Sequence, residues 1–180
     1  HRTVEAARKA FDETRAEYEP SARFTALGLS PDASEAFFKD SRELVNGYYR
    51  MENPRNAKII GLELRIDSDF GKFKLGGIID RLEYNEKNEL VVSDYKTGKV
   101  PDARFGANKM DNMHIYASLC LRERGELPKR LRLMYLKSST PIEVEVTPDS
   151  NAACEAAAIE TFEQIDASCQ SGQFATKKSG

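Results

Sequence analysis

The sequence predicts an α/β fold, a mixed central β-sheet flanked by helices. Three observations predict it. Apolar residues recur at helical spacing over the first fifty positions, and from residue 58 to 96 the period changes to two. The turn Asn85-Glu86-Lys87-Asn88 is short enough to make the strands on either side of it antiparallel neighbours. The resulting order, helix, helix, three strands, helix, two strands, helix, is that of a layered structure built on a sheet.

Each element has its own signal. Val4, Ala7, Phe11 and Tyr18 lie at helical spacing, so residues 2–18 read as an amphipathic helix that Glu19-Pro20 ends. A second helix is expected from Ser34 as N-cap through Phe37, Phe38, Leu44, Val45 and Tyr48, with Pro54 closing the region. Strands are expected at 58–66, 72–84 and 89–96, and Gly76-Gly77 inside the second marks a bulge or a close backbone approach. A helix over about 108–124 puts Met113, Tyr116, Ala117 and Cys120 on one face and stops at Gly125. Strands at 130–137 and 141–147 follow, and a last helix spans about 149–171, starting at Pro148 or Asp149.

At 180 residues the chain has the length of one domain with a real core. There is no internal repeat, low-complexity segment or long linker. The chain opens directly into a helix and closes on Lys177-Lys178-Ser179-Gly180, which reads as a fragment of a longer protein. No apolar run approaches the roughly 18 residues of a membrane span, and no export signal opens the chain, so the expected location is cytoplasmic, with no membrane partner. Cys120, Cys154 and Cys169 form no CxxC pair and read as reduced, inert residues of the core or of helices.

A net charge of −2 argues against a protein that coats nucleic acid by charge alone. The distribution is less even than the sum. From Lys96 to Arg132 there are nine Lys or Arg against four Asp or Glu, a basic lane that could meet phosphates or simply form a solvated face.

The chemistry concentrates in Gly77-Ile78-Ile79-Asp80-Arg81 and Val91-Val92-Ser93-Asp94-Tyr95-Lys96-Thr97-Gly98. Strand alternation sends Asp94 and Lys96 to one side and Tyr95 to the other. Buried carboxylates need a compensating positive charge. A divalent cation between Asp80 and Asp94 supplies it, with the Tyr95 carbonyl as a third oxygen ligand, in the manner magnesium and manganese prefer. Such a cation acidifies water for in-line attack on phosphorus, and Lys96 would steady that water or offset the transition-state charge. Glu63, on the preceding strand, would hold a water or a second ion.

Asp-x-Lys alone is a common product of an exposed, alternating strand, where it is only an edge salt bridge. The wider constellation is more specific. It includes a GxIDR strand, an apolar run into DYKTG, and a helix with a polar residue four before Tyr116. Together these closely resemble the RecB-type exonuclease branch of the PD-(D/E)xK nuclease superfamily, strongly over about 58–137 and weakly in the flanking helices.

The resemblance implies a restriction-endonuclease-like core in a single nuclease-like domain and a metal-dependent DNA nuclease. The expected enzyme is an exonuclease of repair or recombination, using Mg²⁺ or Mn²⁺, with DNA and a helicase subunit or domain as partners. It makes Asp80 and Asp94 the metal-binding acids, Lys96 the catalytic lysine, Glu63 the first-strand glutamate and Tyr116 the tyrosine of the helical motif. Asn112 stands where that motif usually has glutamine. Lys99, Arg104 and Lys109 would join Asn112 and Tyr116 in contacting DNA. His1 opens a helix where relatives place a metal-ligating histidine, the alternative being a solvated end or tag residue. His114 reads as packed or surface. Relatives with an iron–sulphur cluster use cysteines spaced unlike these three, so no cluster is expected in this fragment. The competing function is a catalytically silent DNA-binding or scaffold module of a helicase–nuclease assembly.

Other motifs fail. Ser93-x-x-Lys96 and Lys96-Thr97-Gly98 share one lysine where acyl-serine chemistry needs two segments. There is no phosphate-binding P-loop, no dinucleotide fingerprint between Gly71 and Gly77, and no Cys-pair pattern for structural zinc.

Overall fold

The structure is a computed structural model that describes residues 2–101 and 103–175, with the side chains of 103–109 and 111 left aside. Its elements are α1 (Val4–Tyr18), α2 (Ala22–Thr25), α3 (Pro31–Met51), β1 (Lys58–Asp69), β2 (Lys74–Tyr84), β3 (Leu90–Lys96), α4 (Ala103–Arg124), β4 (Arg130–Tyr135), β5 (Thr140–Glu145) and α5 (Pro148–Ser171). The five strands form one sheet in sequential order. β1, β2 and β3 make an antiparallel meander, β3 and β4 are parallel, and β5 returns antiparallel. The parallel step needs a crossover, and α4 is that crossover. The predicted class, α/β with a mixed sheet flanked by helices, is the one found.

Helix starts follow local chemistry. Thr3, Ser21, Ser30 and Thr147 each accept a hydrogen bond from a first-turn amide, and Thr147 with Ser150 forms a reciprocal capping box. The expected cap at Ser34 is corrected to Ser30. Pro31 sits at the first helical turn, where its missing N–H costs nothing, and Asp32 complements the dipole there. Ser34 instead bonds Glu19 Oε1 at 3.2 Å. The short α2 carried no periodic signal of its own and was not anticipated.

The core lies between the sheet and α4. Ile66, Ile79, Leu82, Leu90, Val92, Leu131, Leu133 and Tyr135 meet Met113, Ala117 and Cys120 there, all buried. Burial pushes the Cys120 thiol up to about 11, so it is an inert core group. α5 covers α4 through Ser118 donating to Asn151 Oδ1 at 2.8 Å and through a two-pronged Arg122–Glu155 pair. Phe73 stacks on Phe162 at 4.5 Å and ties the β1–β2 hairpin tip to α5. Elsewhere, α3 seats itself against the β4–β5 turn at Gly47, where any Cβ would overlap the Leu136 carbonyl. Among the described residues no helix is long and apolar enough to cross a membrane.

Candidate active site

The β2–β3 ladder runs from Tyr84↔Leu90 to Arg81↔Ser93 and stops one pair short of Asp80 and Asp94. Beyond that point Asp80 takes over from the backbone. Its Oδ2 accepts the Tyr95 N–H at 2.8 Å, which satisfies an amide that the splayed strands would leave unpaired. β3 meanwhile stays paired with β4 through Asp94↔Leu133, Tyr95↔Met134 and Lys96↔Tyr135. The two acids therefore stand at a fork between strands, held from both sides.

The alternation of β2 reverses at this place. Leu75 and Ile79 face the core before Asp80, and Leu82 and Tyr84 face it afterwards. β1 is distorted opposite. Glu63 falls between the pairs Leu62↔Arg81 and Leu64↔Ile79, and its φ of 47° is left-handed, a rare conformation for a residue with a Cβ. The register also shifts between Ile59 and Gly61. The expected irregularity at Gly76-Gly77 proves to be close approach. A Cβ on Gly76 would lie 2.8 Å from the Asp67 Cβ, and one on Gly77 would lie 2.8 Å from the Tyr116 ring.

Asp94 and Lys96 share a face, as the period of a strand requires, with Nζ 2.6 Å from Oδ2. Asp94 Oδ2 is buried, and this ion pair supplies its counter-charge. Burial raises the Asp94 carboxyl above its ordinary value, and the charge of Asp80 adds to the rise, while Lys96 opposes it. Tyr116, whose ring approaches Gly77, has its hydroxyl pushed up by burial and then by Asp94 and Asp80. Tyr116 is therefore near enough to Asp80, Asp94 and Lys96 to feel their charges.

Tyr95 points to the opposite face, where its ring meets Tyr48 edge-on at 5.8 Å and Arg81 at 5.6 Å. Arg81 is almost completely buried. It donates to Tyr48 Oη at 3.1 Å, to both Glu52 oxygens and to Glu83 Oε1 at 2.8 Å. Arg132 adds a bond to Glu52 at 3.1 Å and one to Glu143 at 2.7 Å. Burial opposes ionisation of Glu52, but the Arg81 hydrogen bonds and charge outweigh it and hold that carboxyl below its usual range. Glu83 goes the other way, raised by burial that Arg81 does not fully offset. This network braces the reverse side of the strand that carries Asp94 and Lys96. Arg81 is part of the motif visible in the sequence, but nothing local signals its partner twenty-nine positions away in Glu52.

A cleft of about 580 Å³ opens between α3 and the sheet, lined by Leu44, Tyr48, Tyr49, Leu62, Arg81 and Tyr95 and reaching Glu63 and Asp80; Asp94, Lys96 and Tyr116 are not part of its lining. Asn112 is exposed and lines a different groove, between α4, α5 and Phe73, with half-buried His114. Asn112 is thus not brought into the cleft that Asp80 lines. Lys99 is exposed in the segment after β3. Arg104 and Lys109 have side chains outside the described ones, and His1 lies outside the described residues. Among the described residues no three His, Cys, Asp or Glu side chains converge as a ready-made metal cluster.

The donor set still fits a hard cation. Asp80 has Oδ1 uncommitted among the described residues, Asp94 stands on the adjacent strand with Lys96 as its counter-charge, and magnesium needs only one or two carboxylates with water and phosphate.

No curated protein matches the chain. A solved structure described as "Crystal structure of SSO0001" is similar over 84% of this chain and 70% of that chain, with 16% identity and a TM-score of 0.45. The family model for the PD-(D/E)XK nuclease superfamily matches residues 1–178, nearly end to end. On that match the chain belongs to the PD-(D/E)XK nuclease superfamily.

Proposed function

We propose that the chain is a divalent-cation-dependent deoxyribonuclease of the RecB-type branch, an exonuclease that hydrolyses phosphodiester bonds at DNA ends in repair or recombination. The observation that carries this reading is the fork. Two carboxylates and a lysine sit on adjacent strands, and the buried Asp94 Oδ2 has the Lys96 ammonium 2.6 Å away as its counter-charge.

In this reading Asp80, Asp94 and the Tyr95 carbonyl hold Mg²⁺ or Mn²⁺, with His1 as a further ligand. A bound cation supplies charge neutralisation at phosphorus and acidifies water. The protein's own groups do the rest. Asp80 fixes the fork through the Tyr95 amide while offering its second oxygen. Lys96, 37% exposed and 2.6 Å from Asp94 Oδ2, orients the attacking water and offsets developing negative charge. Glu63 accepts from a water at the cleft end. Tyr116, Asn112, Lys99, Arg104 and Lys109 would bind the strand, and a helicase subunit or domain would deliver it.

The test is degradation of end-labelled linear single- and double-stranded DNA in Mn²⁺, Mg²⁺ and EDTA. Metal-dependent loss of label should disappear in Asp94→Asn and fall about 10²–10³-fold in Lys96→Ala. Lys96→Ala should still take up Mn²⁺. Cleavage unaffected by Lys96→Ala would remove the lysine from the mechanism. DNA binding without cleavage, and without Mn²⁺ uptake, would favour the scaffold reading.

A further inference from the structure

We infer that the Tyr95 side chain, held by Tyr48 of α3, is a positioning residue for the cation site, its ring fixing the peptide on which both metal-binding aspartates depend. The inference rests on the reading of Asp80 and Asp94 as cation ligands and extends it to the opposite face of the sheet.

The fork leaves a gap in the backbone. The β2–β3 ladder ends at Arg81↔Ser93, so beyond Ser93 only β4 pairs with β3. On the β2 side the Tyr95 amide is held by a side chain, the Asp80 carboxylate, at 2.8 Å. Asp80 therefore meets two demands, since the carboxylate that would take a cation is also the partner of this amide. A rotation of the Tyr95 peptide moves the Asp80 oxygens through that hydrogen bond. It also moves Asp94 and Lys96, the residues on either side of Tyr95 in β3.

Pairing on one side alone leaves the strand end free to twist, and the Tyr95 ring is placed to stop it. Strand alternation sends the ring to the face away from Asp94 and Lys96. There it packs edge-on against Tyr48 at 5.8 Å, while the Arg81 guanidinium lies 5.6 Å from its centre. Both neighbours are themselves fixed. Arg81 donates to Tyr48 Oη at 3.1 Å and to both oxygens of Glu52, the residue that ends α3. Tyr48 also meets Tyr49 edge-on at 5.1 Å.

An edge-on ring pair and a cation over a ring each have a preferred orientation, so they resist rotation of Tyr95 about its own backbone. The restraint passes from α3 through two rings to the amide at the fork. Groups that orient metal ligands from outside in this way are typically worth about 10–100-fold in metal affinity.

The test is Mn²⁺ uptake by the full chain, read from loss of the free Mn²⁺ signal in electron paramagnetic resonance. Tyr95→Ala should bind Mn²⁺ about 10–100-fold more weakly than wild type, and Tyr95→Phe, which keeps the ring, should stay within about twofold of it. Tyr48→Leu, a change in α3 outside the strands that carry the acids, should lose about three- to tenfold. Circular dichroism in EDTA checks that each variant is folded, and Tyr48→Leu decides the matter if Tyr95→Ala is not. In cleavage, Tyr95→Ala should need more Mn²⁺ for half-maximal rate, with the rate at saturating Mn²⁺ within about threefold of wild type.

Wild-type Mn²⁺ affinity in folded Tyr95→Ala or Tyr48→Leu, a Tyr95→Phe as weak as Tyr95→Ala, or a wild type that takes up no Mn²⁺ would overturn the role. Cleavage separates the two readings. Mn²⁺-dependent cleavage with unchanged affinity in Tyr95→Ala sinks the positioning role alone. Weakened uptake in Tyr95→Ala beside a wild type that cleaves no DNA supports the role and sinks the nuclease alone.

Discussion

Arg81 and Glu52 meet fork to fork, Nη1 to Oε1 at 2.5 Å and Nη2 to Oε2 at 3.0 Å, and so join the middle of β2 to the residue that ends α3. Such a pair is dispensable only as a pair. Removing Arg81 leaves Glu52 and the more deeply buried Glu83 without their main counter-charge. Arg81→Met should lose about 3–5 kcal/mol in urea unfolding, and adding Glu52→Gln should restore part of the loss. A loss below 1 kcal/mol would mean that the network is solvated. Because Glu52 is depressed, its contribution is present above the ordinary carboxylate range and is lost as pH falls through its lowered value.

Asp94 should behave in the opposite sense. Its carboxyl is raised from an ordinary value of 3.8, so the folded state holds the proton more tightly than the unfolded chain does. Ionisation therefore erodes stability as pH rises from about that value through the raised one. Metal-free Asp94→Asn should be more stable than wild type at pH 7, by about 0.5–2 kcal/mol, and the difference should shrink towards pH 4. Thermal unfolding in EDTA at a series of pH values measures it. Lys96 is open enough to solvent to remain hydrated when its partner is gone.

Saturating Mn²⁺ should reverse that order. A ligand at 100 times its dissociation constant stabilises by about 2.7 kcal/mol, and Asp94→Asn should lose most of this increment. Equal shifts of Tm in both proteins would place the cation elsewhere.

Glu63 adopts φ 47°, where a side chain costs about 1–2 kcal/mol relative to glycine. Glu63→Gly should stabilise the protein by about 1 kcal/mol, whereas Glu63→Ala, which keeps the strain, should not. Both should reduce cleavage if the carboxylate serves the reaction. Stabilisation by both variants alike would show that charge, not backbone, sets the cost.

Gly47→Ala should destabilise by about 1–3 kcal/mol, because its methyl group meets the Leu136 carbonyl and backbone must move. Gly77→Ala meets the Tyr116 ring instead, a side chain able to turn aside, so its cost should be smaller. Differential scanning calorimetry of the two variants ranks them.

Much of this was legible in the sequence because it is local. The period change at residue 58, the Asn85–Asn88 turn and the Asp94-x-Lys96 alternation follow from a strand's geometry, and each is found. What escaped is what tertiary contact decides. Glu63's left-handed backbone depends on the reversal of alternation at Asp80 across the pair. The Glu52–Arg81 brace joins segments whose spacing carries no period. Helix starts were misplaced where two serines competed, and Pro31 rather than the apolar pattern settled Ser30 as the cap.

The meander from Lys58 to Lys96 brings both aspartates and the lysine together through neighbouring antiparallel strands. Closing those short turns loses little chain entropy, whereas pairing β3 with β4 must wait for the whole of α4 to be spanned. On that ground the acids meet early during folding, as the hairpins zip. The roof of α4 then closes over a fork whose two carboxylates repel each other. The slowest contacts to form are the ones that hold like charges at their working separation.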